Sequence, residues 1–175
     1  ATIVNSTIAS NGAPSGAGIY CYMGNLKITN STISRNNGTG ISINSGSIEM
    51  LNTILAVNSA SDYNVINNIV LTDNGYNVIE KQTQTNVSEN WRFTNSNDIL
   101  YNYKADGSAG TQWTKNNVVM ANQYLDIATI LDNSNTLNGT PTLSVSSRSF
   151  VIDAGTNTGA PTTDQRGFSR YGTTD

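Results

Sequence analysis

The chain has 175 residues, the length of one ordinary domain, and only 12% of them are charged. The net charge of −3 and pI near 4.7, with no run of Lys or Arg, argue against nucleic acid as a partner. There is no histidine, which excludes His-based triads, His general bases and His-ligated metal centres.

Low charge with 26 asparagines could describe a disordered chain, but disordered chains lack regularly spaced β-branched residues. Here Ile and Val recur on a schedule from the first residue. Ala1-Thr-Ile-Val-Asn5-Ser-Thr-Ile-Ala-Ser-Asn11 returns as Leu26-Lys-Ile-Thr-Asn30-Ser-Thr-Ile-Ser-Arg-Asn36 and as Ile48-Glu-Met-Leu-Asn52-Thr-Ile-Leu-Ala-Val-Asn58. A worn fourth copy is Val70-Leu-Thr-Asp-Asn74. The leading asparagines Asn5, Asn30, Asn52 and Asn74 are 25, 22 and 22 residues apart. A fixed period near 22 in a strand-rich sequence points to a solenoid of stacked coils. Ala1 already lies inside a repeat, so a longer protein is expected upstream.

The copies align along their whole length. Gly18-Ile-Tyr-Cys faces Gly40-Ile-Ser-Ile and Asp62-Tyr-Asn-Val, and the extra residues of the first copy fall in Ala13-Pro14-Ser15-Gly16, where turn chemistry tolerates insertion. Within one coil three apolar pulses occur: Leu26 and Ile28, then Ile33, then Ile41 and Ile43. They alternate with polar residues at period two, as half-buried strands do. Three strands and three turns in about 22 residues make one rung of a parallel β-helix; helical-hairpin repeats need a longer period. A lone rung buries about five aliphatic side chains at roughly 1.5–3 kcal/mol each. That cannot offset backbone ordering on the order of 1–2 kcal/mol per residue, so rungs must stack. Stacking predicts an amide ladder of Asn5, Asn30, Asn52 and Asn74. It also predicts an exposed Lys27–Glu49 pair and an outward row of Thr2, Lys27, Glu49 and Leu71, too mixed for a flat ice-binding Thr array.

Residues 1–79 are thus read as β-helix coils, 80–140 as an irregular aromatic excursion and 141–175 as terminal strands and tail. The excursion holds Trp91, Tyr101, Tyr103 and Trp113, the candidates for stacking on sugar rings; burial would make them filler between helix and tail. Residues 126–140 suggest a helical turn and loop, and Pro141–Val145 and Ser149–Asp153 late strands.

Several stretches resemble elements of a known family. Asn52-Thr-Ile-Leu-Ala-Val-Asn58, Asp73-Asn-Gly-Tyr-Asn-Val-Ile79, Asn138-Gly-Thr-Pro-Thr-Leu143, Ser149-Phe-Val-Ile-Asp-Ala-Gly155 and Thr163-Asp-Gln-Arg-Gly-Phe168 resemble the C-terminal elements of bacterial choice-of-anchor Q domain proteins. Phe150 stands where that family usually has Pro. The resemblance covers residues 48–79 and 138–175 and implies a right-handed, pectate-lyase-like parallel β-helix in an exported surface protein, with one more strand beyond Asp175. It implies no enzyme activity.

The remaining candidates weigh toward structure. Cys21, alone, forms no internal disulfide and reads as a small interior side chain. Asp164 and Arg166 read as charge-assisted clamps holding the tail on the helix, and Asp153 as a turn-capping carboxylate. Asp132-Asn-Ser-Asn spaces its oxygens like a calcium loop but lacks the second acid and the closing Glu, leaving Asp132 a weak metal candidate and no cofactor required. Polysaccharide cleavage needs paired carboxylates or a base beside a cation site. Among Lys27, Arg35, Glu49, Asp62 and Asp73 only Lys27 and Glu49 share a face. The expectation is a non-catalytic extracellular β-helix segment, a stalk, adhesin or matrix component in contact with surface polysaccharide, without nucleic acid or a transmembrane segment. The alternatives are a subunit of a self-assembling filament or sheath and a fragment of a polysaccharide lyase or glycoside hydrolase.

Overall fold

The computed structural model describes residues 1–67, 69–80, 82–84, 93–101, 112–116, 118–125, 127 and 141–170, with no helix among them. Strands β1 (Thr2–Val4), β2 (Thr7–Ala9) and β3 (Ile19–Cys21) make the first coil. The second is β4 (Asn25–Thr29), β5 (Thr32–Ser34) and β6 (Ile41–Ile43); the third is β7 (Gly46–Leu51), β8 (Ile54–Ala56) and β9 (Tyr63–Val65). The fourth is β10 (Ile69–Asp73), β11 (Val78–Ile79) and β12 (Gln82–Gln84). Equivalent strands pair in parallel into three sheets, ordered β1-β4-β7-β10, β2-β5-β8-β11 and β3-β6-β9-β12. This is a parallel β-solenoid.

The second sheet continues. β13 (Ile99–Tyr101) adds in parallel to β11, and β14 (Trp113–Lys115) and β15 (Val118–Val119) then add antiparallel. The stack therefore runs past residue 79 into the segment read as an irregular excursion. The expected late strands do not form. Val145 makes one isolated bridge to Ile127, and Ser149–Asp153 runs through a turn that buries Phe150 and Val151. The helical turn expected in 126–140 lies outside the described residues, apart from Ile127.

Side-chain columns form the core. Ile8, Ile33 and Leu55 align, as do Ile19, Ile41 and Tyr63, and Cys21, Ile43 and Val65. All five expected apolar positions of the second coil are buried, whereas Ile3, Ile8, Ile19 and Cys21 of the first are half-buried. Tyr63 and Phe93, both fully buried, meet edge to face at 5.5 Å. Between coils the turn glycines also stack. A Cβ on Gly46 (φ 115°) would lie 1.9 Å from the Gly24 carbonyl oxygen, so that corner requires glycine.

The fourth coil departs from the expected register. Leu71 pairs with Ile48 and Thr72 with Glu49, one residue out of the 22-residue spacing, so the outward row reads Thr2, Lys27, Glu49, Thr72. A further residue enters at Asn74-Gly75, where Gly75 takes φ 84°. Ile33→Ala should lower unfolding stability by about 2–5 kcal/mol in a denaturant titration, from lost burial and a residual cavity. Val70→Ala, at an exposed position on β10, should change it by less than about 0.5 kcal/mol.

Candidate functional site

Each coil turns its first corner through a left-handed residue: Asn5 (φ 48°), Asn30 (50°), Asn52 (50°) and, in the fourth coil, Tyr76 (59°). Asn enters this conformation more readily than other residues that carry a Cβ. The backbone N–H groups of Asn5, Asn30 and Asn52 donate to Thr29, Leu51 and Gly75, so the fourth place in the column belongs to Tyr76. Asn74 instead donates its side-chain amide to Glu49.

The corner asparagines do not form a continuous ladder. Asn52 donates to Asn30 at 2.9 Å, but Asn5 and Asn52 turn their remaining amide capacity outward to the C-terminal tail. Asn5 Nδ2 donates to the Thr163 carbonyl at 2.7 Å, and Arg170 donates to Asn5 Oδ1 at 3.2 Å. Asn52 exchanges two bonds with the Thr156 backbone, accepting its N–H at 3.0 Å and donating to its carbonyl. Thr7 Oγ1 adds a bond to Gln165. The column is a rail along which the tail is clasped.

The continuous amide ladder lies at the next corner, in residues the sequence reading passed over. Asn11 donates to Asn36 Oδ1 through both its N–H and Nδ2 at 3.1 Å, and Asn36 donates likewise to Asn58 Oδ1 at 3.0 Å. Asn58 donates likewise to Asp62 Oδ1, and its Nδ2 also reaches the Ile33 carbonyl. Asn36 and Asn58 are 1% exposed, so these bonds satisfy groups that water cannot reach. The signal was present in the sequence: these asparagines repeat at the same 25 and 22 residues as the outer ones.

The tail's docking place follows from the outward column of the second sheet: Thr7, Thr32, Ile54, Val78, Ile99. Polar in the first two coils, it becomes apolar in the rest. Over that apolar end a second cluster gathers Trp113, Phe150 and Val151 on Val78 and Ile99, with Tyr101, Val145 and Ala154 at its margin. Trp113 lies 5.0 Å from Tyr101 and 4.8 Å from Phe150, ring centre to ring centre, and is 5% exposed. It offers no face to a sugar; it fills the junction, and half-buried Tyr101 packs against it. Trp91, Tyr103 and Asp132 lie outside the described residues.

Where the column is polar the tail bridges over it and leaves a groove. A cavity of about 490 Å³ is floored by Thr7, Thr32 and Ile54 and walled by Gln165, Arg166 and Arg170. It continues toward Asp153 and Phe168 in a space of about 570 Å³. Asp164 and Arg166 were expected to tie tail to helix. They instead bond each other, at 2.6 and 2.7 Å, within a tail turn in which Asp164 also accepts the Phe168 N–H. Proximity in sequence decides this: a two-residue separation makes the local pair geometrically easier than a long-range one. Arg166 also lies over the Phe168 ring at 5.5 Å. Asp153 is exposed and contributes a left-handed turn residue, φ 55°.

The Lys27–Glu49 pair forms as expected, at 2.8 Å and exposed. The Lys27 hydrogen bond holds the Glu49 carboxyl below its usual range, although an exposed pair is worth at most about 1 kcal/mol. Half-buried Cys21 is a free thiol packed against the core. Among the described residues no three His, Cys, Asp or Glu gather as metal ligands, and no helix is long and apolar enough to cross a membrane.

No protein-family model, curated protein or solved structure matches the chain. The clasp is testable directly. Asn52→Ala should expose residues 156–163 to limited proteolysis while costing the coils only about 1 kcal/mol. Asn36→Ala, which strands buried donors and acceptors inside the ladder, should lower the unfolding transition of the whole domain by several times as much.

Proposed function

We propose that this chain is a non-catalytic, extracellular β-solenoid segment of a bacterial cell-surface protein, serving as a braced stalk or adhesin that contacts surface or matrix polysaccharide. The observation that carries the reading is the tail clasp. One stretch of the tail bonds to Asn5 in the first coil and Asn52 in the third, tying separate rungs together from outside. A solenoid whose repeats touch only their neighbours can otherwise open between any two of them. An external brace suits a rod that must bear load. The similarity of residues 48–79 and 138–175 to choice-of-anchor Q proteins supports export and surface display.

The groove beneath the tail is the surface assigned to glycan contact. Its Thr7 and Thr32 floor offers hydroxyl partners, and the Phe168 ring, 41% exposed, stands at its rim. The antiparallel β14–β15 hairpin ends the parallel order of the longest sheet, so a copy stacked there would not meet another parallel coil, which favours a stalk over a head-to-tail filament. Asp153 and Asp164 both line the wider part of the groove, so cleavage is the reading to test against. Asp164 is already engaged by Arg166 and the Phe168 N–H.

Incubation with a panel of bacterial and plant polysaccharides should give retention on at least one polymer, weakened at least several-fold by Phe168→Ala, with no shortening of any chain. Release of new reducing or unsaturated ends would overturn the non-catalytic reading. Absence of retention on every polymer would remove glycan contact from the proposal.

A further inference from the structure

The inward column Ile3, Ile28, Met50 continues in the fourth coil not with an apolar residue but with Asp73. That carboxylate is well served. Its Oδ1 accepts the Gly75 N–H at 3.1 Å and Asn77 Nδ2 at 3.2 Å, and its Oδ2 accepts the N–H groups of Thr94 at 3.0 Å and Asn95 at 3.1 Å. Beside it lies Asp98, 1% exposed. Asp98 Oδ1 accepts the Asn77 N–H at 2.8 Å, while Oδ2 receives no donor.

Two ionised carboxylates side by side repel, and Asp98, out of water, would also lose its hydration, while Asp73 is only half-buried. The donors decide which one is charged: four N–H groups converge on Asp73 and one on Asp98. An ionised Asp98 Oδ2 would be a buried acceptor with nothing to accept. Protonated, the same oxygen becomes a donor, with Asp73 as its acceptor.

We propose that Asp98 holds a proton that it donates to Asp73, and that this proton latches β13 onto the fourth coil, so that its loss loosens the C-terminal end of the solenoid. Asp73 closes β10, Asn77 directly precedes β11 and Asp98 directly precedes β13. On β13 stand the β14–β15 hairpin and, through Ile99 and Trp113, the cluster that receives the tail. The latch sits where those elements join the regular coils. Among the described residues the charged groups on the elements packed there are Asp73 and Lys115, and Lys115 pairs opposite Ile99, one position along from Asp98. The small cavity of about 70 Å³ beside Asp98 is lined by Thr94, Asn95, Ser96, Leu100, Thr114 and Asn116, none of which titrates.

Burial first, then the charge of Asp73, push the Asp98 carboxyl up to about 8. In the unfolded chain an aspartate releases its proton near pH ~4. Between those values the folded state binds more protons than the unfolded state, so stability falls as pH rises. The contribution is complete below about pH 4, declines across the window and is gone once pH has risen through the folded value. The latch is closed at neutral pH and opens under alkaline conditions.

Asp98→Asn is the informative variant, because its amide keeps an acceptor for the Asn77 N–H and a donor for Asp73 without titrating. Thermal unfolding and limited proteolysis of the full chain are compared at about pH 6 and about pH 9. The native protein should melt lower and be cut faster within residues 93–101 at the higher pH. The variant should show little change and exceed the native midpoint at about pH 9. Parallel losses in both proteins would overturn the proposal. A second measurement needs no variant: the side-chain carboxyl carbon of Asp98, followed by NMR, should titrate with a midpoint well above that of an ordinary aspartate. A midpoint near pH ~4 would contradict the latch.

Discussion

Everything in this molecule depends on parallel, in-register stacking of equivalent residues. The backbone of each coil spends its hydrogen bonds on the coils above and below, so a residue's nearest neighbours are its own counterparts 22–25 positions away. Such a column must be compatible with itself. Ile on Ile is, because apolar surface buries apolar surface. Asn on Asn is, because an amide both donates and accepts, so one side chain can serve the next without end. The Asn11–Asn36–Asn58 ladder uses this property from the surface at Asn11 into the buried interior, where Asn58 donates to Asp62. A charged residue is not compatible with itself, which is why a shared proton is proposed between inward-facing Asp73 of the fourth coil and its buried neighbour Asp98.

Outside the coils a gradient in one column sets the remaining architecture. Thr7 and Thr32 are content in water; Ile54, Val78 and Ile99 are not. The tail and the β14–β15 hairpin cover the apolar end, bringing Trp113, Phe150 and Val151 with them. Over the polar end the tail is held by discrete hydrogen bonds to corner asparagines, and open space remains beneath it. One sequence difference between successive repeats thus separates a sealed junction from a groove.

Much of this was legible in the sequence, and the failures have physical causes. The apolar pulses, the Gly18–Gly40–Asp62 alignment and the Lys27–Glu49 pair follow from periodicity alone, because a column is a spacing. Asn74 misled because one residue is inserted between β9 and β10 and a further one at Asn74-Gly75: matching letters at the right distance concealed a shifted register that put Asp73 inward and Tyr76 at the corner. The inner ladder was missed for another reason. The spacings of Asn11, Asn36 and Asn58 equal those of Asn5, Asn30 and Asn52, and nothing in the letters says which corner faces inward. The letters around Trp113 leave it open between a platform for sugars and filler between helix and tail. Its burial is decided by Ile54, Val78 and Ile99, far away in sequence and informative only once the coils are stacked.

Methyl–methyl nuclear Overhauser effects test the stacking most directly. The account predicts cross-peaks from Ile33 to both Ile8 and Leu55, and from Ile43 to Val65, residues 22–25 positions apart on one column. Cross-strand contacts whose partners run in opposite directions along the chain through residues 1–79, or no contact between Ile33 and either neighbour, would contradict the solenoid and with it the ladder, the clasp and the groove.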